Sequence, residues 1–119
     1  MVEIREIVGV EQLHSFYNEN PEQVHIVLYD NFDNTLMGNV YENFKNLSEN
    51  HIDGSLLGIA NMGKAENAPL IDERRLMFFP FIEFTMNNLS YYRHLGDMEE
   101  YDFYTIIDEI KDGIYEGGE

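Results

Sequence analysis

The sequence predicts an α/β fold with a mixed β-sheet, and three observations carry that prediction. Strand-like segments, apolar or alternating, recur between segments with helical spacing, which implies crossover helices and a parallel core. Late in the chain two strand-like segments, 78–85 and 89–95, flank a tight turn at Asn87-Asn88, which adds an antiparallel hairpin. The last segment, roughly 99–115, repeats Phe103, Ile106, Ile107, Ile110 and Ile114 at helical spacing and completes the order β-α-β-α-β-α-β-β-α.

The elements follow from the N-terminus. Residues 2–8 alternate apolar and polar at period two, the pattern of a half-buried strand. From Val10 to Asn18, Val10, Leu13, Phe16 and Tyr17 fall on one helical face, and the stretch through Pro21 stops that helix. Residues 24–29 are nearly continuously apolar and rich in β-branched side chains, as in a central strand covered on both faces. Residues 30–34 are polar and loop-like. A second helix is predicted over about 36–48, with Val40, Phe44 and Leu47 facing inward. Gly54 marks the turn into a third strand over 55–60, and 65–76 reads as a helix with Pro69 in its first turn. The hairpin and the amphipathic last helix follow, with Gly113 an imperfection in the latter.

The 119 residues read as one domain, 1–119, with 116–119 expected to fray; no linker, repeat or low-complexity segment divides them. Hydrophobic residues make up 44%, enough for a folded core without disulfides or metals. No run reaches the ~20 apolar residues of a membrane span, and the N-terminus lacks the basic start and apolar stretch of a signal peptide. A soluble, cytoplasmic protein is therefore the expectation, and the absence of cysteine fits a reducing compartment. Twenty-three acidic residues against seven basic give a formal charge of −16. Such a surface repels phosphate backbones and anionic lipids, so neither nucleic acid nor membrane is expected as a partner. It serves solubility, and it would also steer a basic partner inward.

The element order resembles the thioredoxin fold, and local features agree. In that family the central strand runs into a Trp-Cys-Gly-Pro-Cys turn, and here the corresponding stretch is Phe32-Asp33-Asn34-Thr35-Leu36. A cis-proline precedes the family's hairpin, at the place of Phe79-Pro80-Phe81-Ile82, and a glycine follows sixteen residues later, at the place of Gly96. The resemblance covers nearly the whole chain. It implies a thioredoxin-like three-layer α/β/α sandwich with a four- to five-stranded mixed sheet and Pro80 in cis.

The departures bear on function. Thioredoxins work through a thiolate that attacks a disulfide and a second thiol that resolves the intermediate. Asp33 and Leu36 stand where those sulfurs would be, and neither side chain can exchange a disulfide. Val27 stands where the family carries a buried acid. The reading is a redox-inactive member: a protein- or peptide-binding module, chaperone-like or scaffolding, with no cofactor. The family's substrate groove carries over to Phe32, Asp33, Asn34, Thr35, Phe79, Pro80, Leu95 and Gly96. The alternative use of Phe78, Phe79 and Phe81 is simply to fill the core. A protein or peptide partner is expected, with a basic partner and a homodimer both open.

Other chemistry finds less support. Residues 26–36 resemble the first motif of haloacid-dehalogenase-type phosphatases, with Asp33 and Thr35 in place but Asn31 where the nucleophilic aspartate belongs. A divergent metal-dependent or carboxylate-based enzyme around Asp30 and Asp33 is the enzymatic alternative. His14, His25, His51 and His94 lack paired ligand spacing, and Gly63-Lys64 lacks the rest of a phosphate loop. Arg74, Arg75 and Arg93 are read as partners of nearby acids or as a site for an acidic peptide. The acids Asp97, Glu99, Glu100, Asp102, Asp108, Glu109 and Asp112 are read as the solvated face of the last helix or as a dock for a basic partner.

Overall fold

A computed structural model of the chain describes residues 2–32, 39–50 and 54–118. Five strands, β1 (Ile4–Ile7), β2 (His25–Asp30), β3 (Leu56–Asn61), β4 (Phe81–Met86) and β5 (Leu89–Leu95), form one mixed sheet in the order β1-β3-β2-β4-β5. The strands β1, β3 and β2 run parallel, while β4 is antiparallel to both β2 and β5. Helices α1 (Gly9–Asn18), α2 (Val40–Asn50), α3 (Leu70–Arg74) and α4 (Glu100–Lys111) complete the fold.

The period-two geometry of β2 divides the interior in two. Ile26 and Leu28 point into the layer built with Phe44 and Leu47 of α2 and Phe103, Ile107 and Ile110 of α4. Val27 and Tyr29 point into the opposite layer with Leu13, Phe16 and Tyr17 of α1 and Leu70 of α3. Every residue of β2 is buried, the outcome its continuous apolar pattern predicts for a strand covered on both faces. On the α1 side the backbones approach closely at Gly58, where a Cβ would lie 2.7 Å from Ile7 Cδ1 and 3.3 Å from the Phe16 ring.

Three boundaries differ from the periodicity. The segment read as a helix over 65–76 is a single 3-10 turn (Ala65–Asn67) followed by α3, with Pro69 at the N-cap. Proline has no N–H to give and crowds the preceding turn, so the longer helix breaks there. Buried Asn67 fills the gap: its Nδ2 donates to Ile7 O (3.1 Å) and Asn61 O (2.9 Å), and its Oδ1 accepts from Gly9 N–H (2.7 Å). The strand expected from Phe78 begins only at Phe81. Helix α4 ends at Lys111 rather than near Tyr115. Gly113 takes φ +76° and Ile114 N–H reaches back to Glu109 O (3.0 Å), a Schellman ending that turns Ile114 out to solvent. The predicted start of α2 at Leu36 lies outside the described residues.

The β4–β5 turn places both Asn87 and Asn88 at positive φ, 53° and 63°, as a two-residue hairpin of this kind requires. The tail, expected to fray, exchanges two hydrogen bonds with β5: Ser90 N–H to Gly118 O (2.6 Å) and Gly118 N–H to Ser90 O (2.7 Å).

Candidate functional site

The chain between α3 and β4 is where this fold exposes what its sequence pattern hides. Arg75 caps α3 at φ 56°, in the left-handed region, and its N–H reaches back to the last turn. Leu76 then turns into the core, its N–H donating to Ile71 O (2.9 Å). The next three side chains face solvent: Met77 is 80% exposed, Phe78 61% and Phe79 38%. The Phe79–Pro80 peptide bond is cis. Phe81 then enters β4 and is buried.

Across the hairpin, Phe81 pairs with Leu95, and Gly96 N–H donates to Pro80 O (2.8 Å). Gly96 adopts φ +97° with open space where a Cβ would stand, so backbone conformation alone favours glycine there. Leu95 is 52% exposed. Of the predicted groove residues, the structure thus brings together Phe79, Pro80, Leu95 and Gly96, and it adds Met77 and Phe78. Phe32 is half-buried and packs its ring on Tyr41 (5.2 Å between centroids), in a hollow of about 300 Å³ that it shares with Ile59 and Asn61. Asp33, Asn34 and Thr35 lie outside the described residues.

The corner is fastened by a charge cluster in which Arg74 and Arg93 pair with an acid, as one reading of the sequence expects, but the acid, Glu83, is not singled out there. Glu83 of β4 is buried on the sheet face that carries Tyr29 and packs against Tyr17 of α1, opposite Val27 in the β2–β4 register. Arg74 Nε donates to its Oε1 (2.8 Å), a terminal nitrogen of the same guanidinium stands 2.8 Å from that oxygen, and Ser90 Oγ donates to Oε2 (3.0 Å). Tyr17 Oη reaches Oε1 at 3.4 Å, and Arg93 Nε stands 3.8 Å from Oε2. Burial and then the charge of Glu83 hold the Tyr17 hydroxyl well above its ordinary pKa. Arg93 also donates to the carbonyls of Arg74 and Arg75 and stacks over Phe81, binding β5 to the α3–β4 corner. The sheet therefore does bury a carboxylate, one strand away from the position the family resemblance assigned to Val27, and ion-paired in place.

A second buried carboxylate ends β2. Asp30 Oδ1 accepts from Asn31 N–H (2.8 Å), while Oδ2 is enclosed with no hydrogen-bond partner among the described residues. Burial raises its pKa, the Asn31 bond opposes this, and the charge of Asp97 adds to it. An enclosed oxygen of this kind is not presented to a substrate; Asp33 and Thr35 lie outside the described residues, and among the described residues nothing in the geometry supports the phosphatase reading. Asp97, Glu99, Glu100 and Asp102 line one cleft with Glu42 of α2, and Asp108 and Asp112 stand exposed further along the last helix. His14 pairs with Glu73 (2.7 Å), His25 is buried against the carbonyls of Glu19 and Gln23, and His94 faces Asp97 O (2.8 Å); His51 lies outside the described residues. Among the described residues no group of three His, Cys, Asp or Glu could hold a metal ion, and no helix is long and apolar enough to cross a membrane.

No family model matches the chain, and no curated protein is similar to it in sequence. Solved structures are similar in fold. Chloroplastic thioredoxin z superposes with a TM-score of 0.74 at 17% identity, over 95% of this chain and 98% of its own. The thioredoxin of Fasciola hepatica superposes with a TM-score of 0.74 at 17% identity, over 86% and 95%. That of Malassezia sympodialis superposes with a TM-score of 0.73 at 13% identity, over 91% of each. With five strands in a mixed sheet, four helices and no cysteine anywhere in its sequence, the chain has a thioredoxin-like fold that holds no thiol for disulfide exchange.

Proposed function

We propose that this chain is a non-redox protein- or peptide-binding module, chaperone-like or scaffolding, whose contact surface is Met77, Phe78 and Phe79 with Pro80, Leu95 and Gly96. One observation carries the reading. Of the seven exposed large hydrophobic residues among those described, four (Met77, Phe78, Phe79 and Leu95) lie on the two segments joined by the Gly96–Pro80 hydrogen bond. Scattered single apolar residues on a surface need no explanation, but a cluster of this kind marks a contact site. Covering Met77 and Phe78 alone would contribute about 2–4 kcal/mol of apolar transfer energy. An extended segment laid beside Phe79 can add main-chain hydrogen bonds in the manner of β-augmentation. The loss of the thiols removes the chemistry of this surface and leaves its shape.

A peptide array tests the proposal. Twelve-residue peptides with apolar residues at alternate positions should be retained by the wild type and lost, by tenfold or more, in a Phe78→Ser/Phe79→Ser variant of unchanged circular dichroism. Equal retention by the folded variant would move the site elsewhere and refute this assignment.

A further inference from the structure

Three of the chain's seven cations stand beside its exposed apolar side chains. Only seven of 119 residues are basic, yet Arg74, Arg75 and Arg93 meet at the α3–β4 corner, around a hollow of about 90 Å³ that also touches Glu73, Glu83 and Ser90. Arg74 and Arg93 are committed to Glu83. Elsewhere Arg5 pairs with Glu19, Lys45 with Glu42 and Lys64 with Glu6. Arg75 differs: its side chain is exposed and makes no ion pair among the described residues, and its carbonyl is pinned by Arg93 (3.2 Å). Of the acids beside it on α3, Glu73 is turned to His14 at 2.7 Å. Two residues further on, the exposed run Met77–Phe79 begins.

From this juxtaposition we infer that the apolar surface selects an acidic segment: an extended peptide whose apolar side chains cover Phe78 and Phe79 while a carboxylate meets the guanidinium of Arg75. The inference rests on the peptide-binding reading and names its ligand class. Charge complementarity is local. The net charge of −16 opposes an acidic ligand at long range, but at physiological ionic strength that field is screened within about 8 Å. A carboxylate in contact with Arg75 lies inside that distance of the cation; of the acids lining the same hollow, Glu83 is paired with Arg74 and Glu73 with His14. An arginine also offers the paired N–H geometry that a carboxylate accepts, and a lysine does not. A solvent-exposed pair of this kind gives about a two- to fivefold gain in affinity.

Fluorescence anisotropy with fluorescein-labelled peptides of alternating Leu and Thr tests this, each peptide carrying Asp, Asn or Lys at one end or the other. For the wild type in 0.15 M salt, the Asp peptide should bind two- to fivefold tighter than the Asn peptide, with Lys weakest, at one of the two ends. Arg75→Gln should erase the difference between Asp and Asn, and Arg75→Glu should invert the order, both without change in circular dichroism. Binding that depends on Phe78 and Phe79 but not on the terminal charge, or that is tightest for Lys, would overturn the acidic preference and leave the apolar site standing. Failure of every peptide to bind would overturn the apolar site and this inference together.

Discussion

Replacing Glu83 with Gln should destabilise the protein by about 2–3 kcal/mol while leaving its surface almost unaltered. Glu83 is 1% exposed, and its strongest partner, Arg74, keeps only 21% of its side chain in solvent. Removing one member of a fully buried pair costs about 3–5 kcal/mol, because a charge is left in low dielectric without its counter-ion. Here Arg74 and Arg93 retain some solvent, and the amide carbonyl introduced by Glu83→Gln can still accept from Arg74, which brings the cost below that range. With a urea m-value of about 1.5–2 kcal/mol/M, the unfolding midpoint should fall by about 1–2 M. The double variant Glu83→Leu/Arg74→Leu removes both charges and should recover most of what Glu83→Leu alone loses, so that a double-mutant cycle reports a coupling of about 2 kcal/mol. A midpoint shift below about 0.3 M for Glu83→Gln, or additive losses in the cycle, would refute the claim that this pair fastens the corner.

Three further outcomes follow from the same geometry. Asp30→Asn removes a carboxylate whose folded-state pKa is raised, mainly by burial. For such a group ionisation is the costly event, and its contribution to stability is lost as pH rises through the folded-state value. Asp30→Asn should therefore gain on the wild type between acid and neutral pH in parallel urea titrations, and a pH-independent difference would contradict the assignment. Gly58→Ala should cost about 1–3 kcal/mol, since the new Cβ meets Ile7 Cδ1 at 2.7 Å. Gly96→Ala meets nothing and carries only the strain of a positive φ, about 1 kcal/mol, so thermal melts should rank Gly58→Ala well below it. Tyr115→Phe should abolish a phenol titration at high pH near 12, the value to which its hydrogen bond to Glu109 pushes that hydroxyl, and spectrophotometric titration of both proteins measures it.

The fold was legible because its signals are periodic and redundant. Strand β2 announces its double burial by a nearly unbroken apolar run, and α4 shows its buried stripe in four residues, Phe103, Ile106, Ile107 and Ile110, that all reach the core. Where legibility failed, a single residue overrode a period: Gly113 ended α4 before Ile114, and Pro69 split the helix expected over 65–76. The site was legible only in part. The pairing of Pro80 with Gly96 follows from fold resemblance, but an exposed Phe78 and a buried Phe81 look alike in sequence. Only the path of the backbone separates an anchor in solvent from a core side chain. Glu83 is harder still. A lone acid in an apolar strand is a signal, yet its partners lie nine residues before it and seven and ten residues after it, and only the β4–β5 register brings Ser90 and Arg93 to the same carboxylate.

Stability and the proposed recognition fall on the two sides of one corner. On the buried side, Glu83 joins Arg74 of α3, Ser90 and Arg93 of β5 and, through Arg93, the carbonyls of Arg74 and Arg75. On the open side, Met77, Phe78 and Phe79 contribute little to the core. A loop that exposes three consecutive large apolar residues would ordinarily collapse onto itself or invite aggregation. The clamp on its two ends, Arg93 to the Arg75 carbonyl before it and Gly96 to the Pro80 carbonyl after it, restrains that collapse. If the loop binds as proposed, its ordering in advance lowers the entropy cost of that binding. Variants on the two sides should therefore separate: Glu83→Gln lowers the unfolding midpoint and, below it, weakens binding only as far as the loop loosens. Phe78→Ser, by contrast, should remove the proposed binding and leave stability within about 0.5 kcal/mol of wild type.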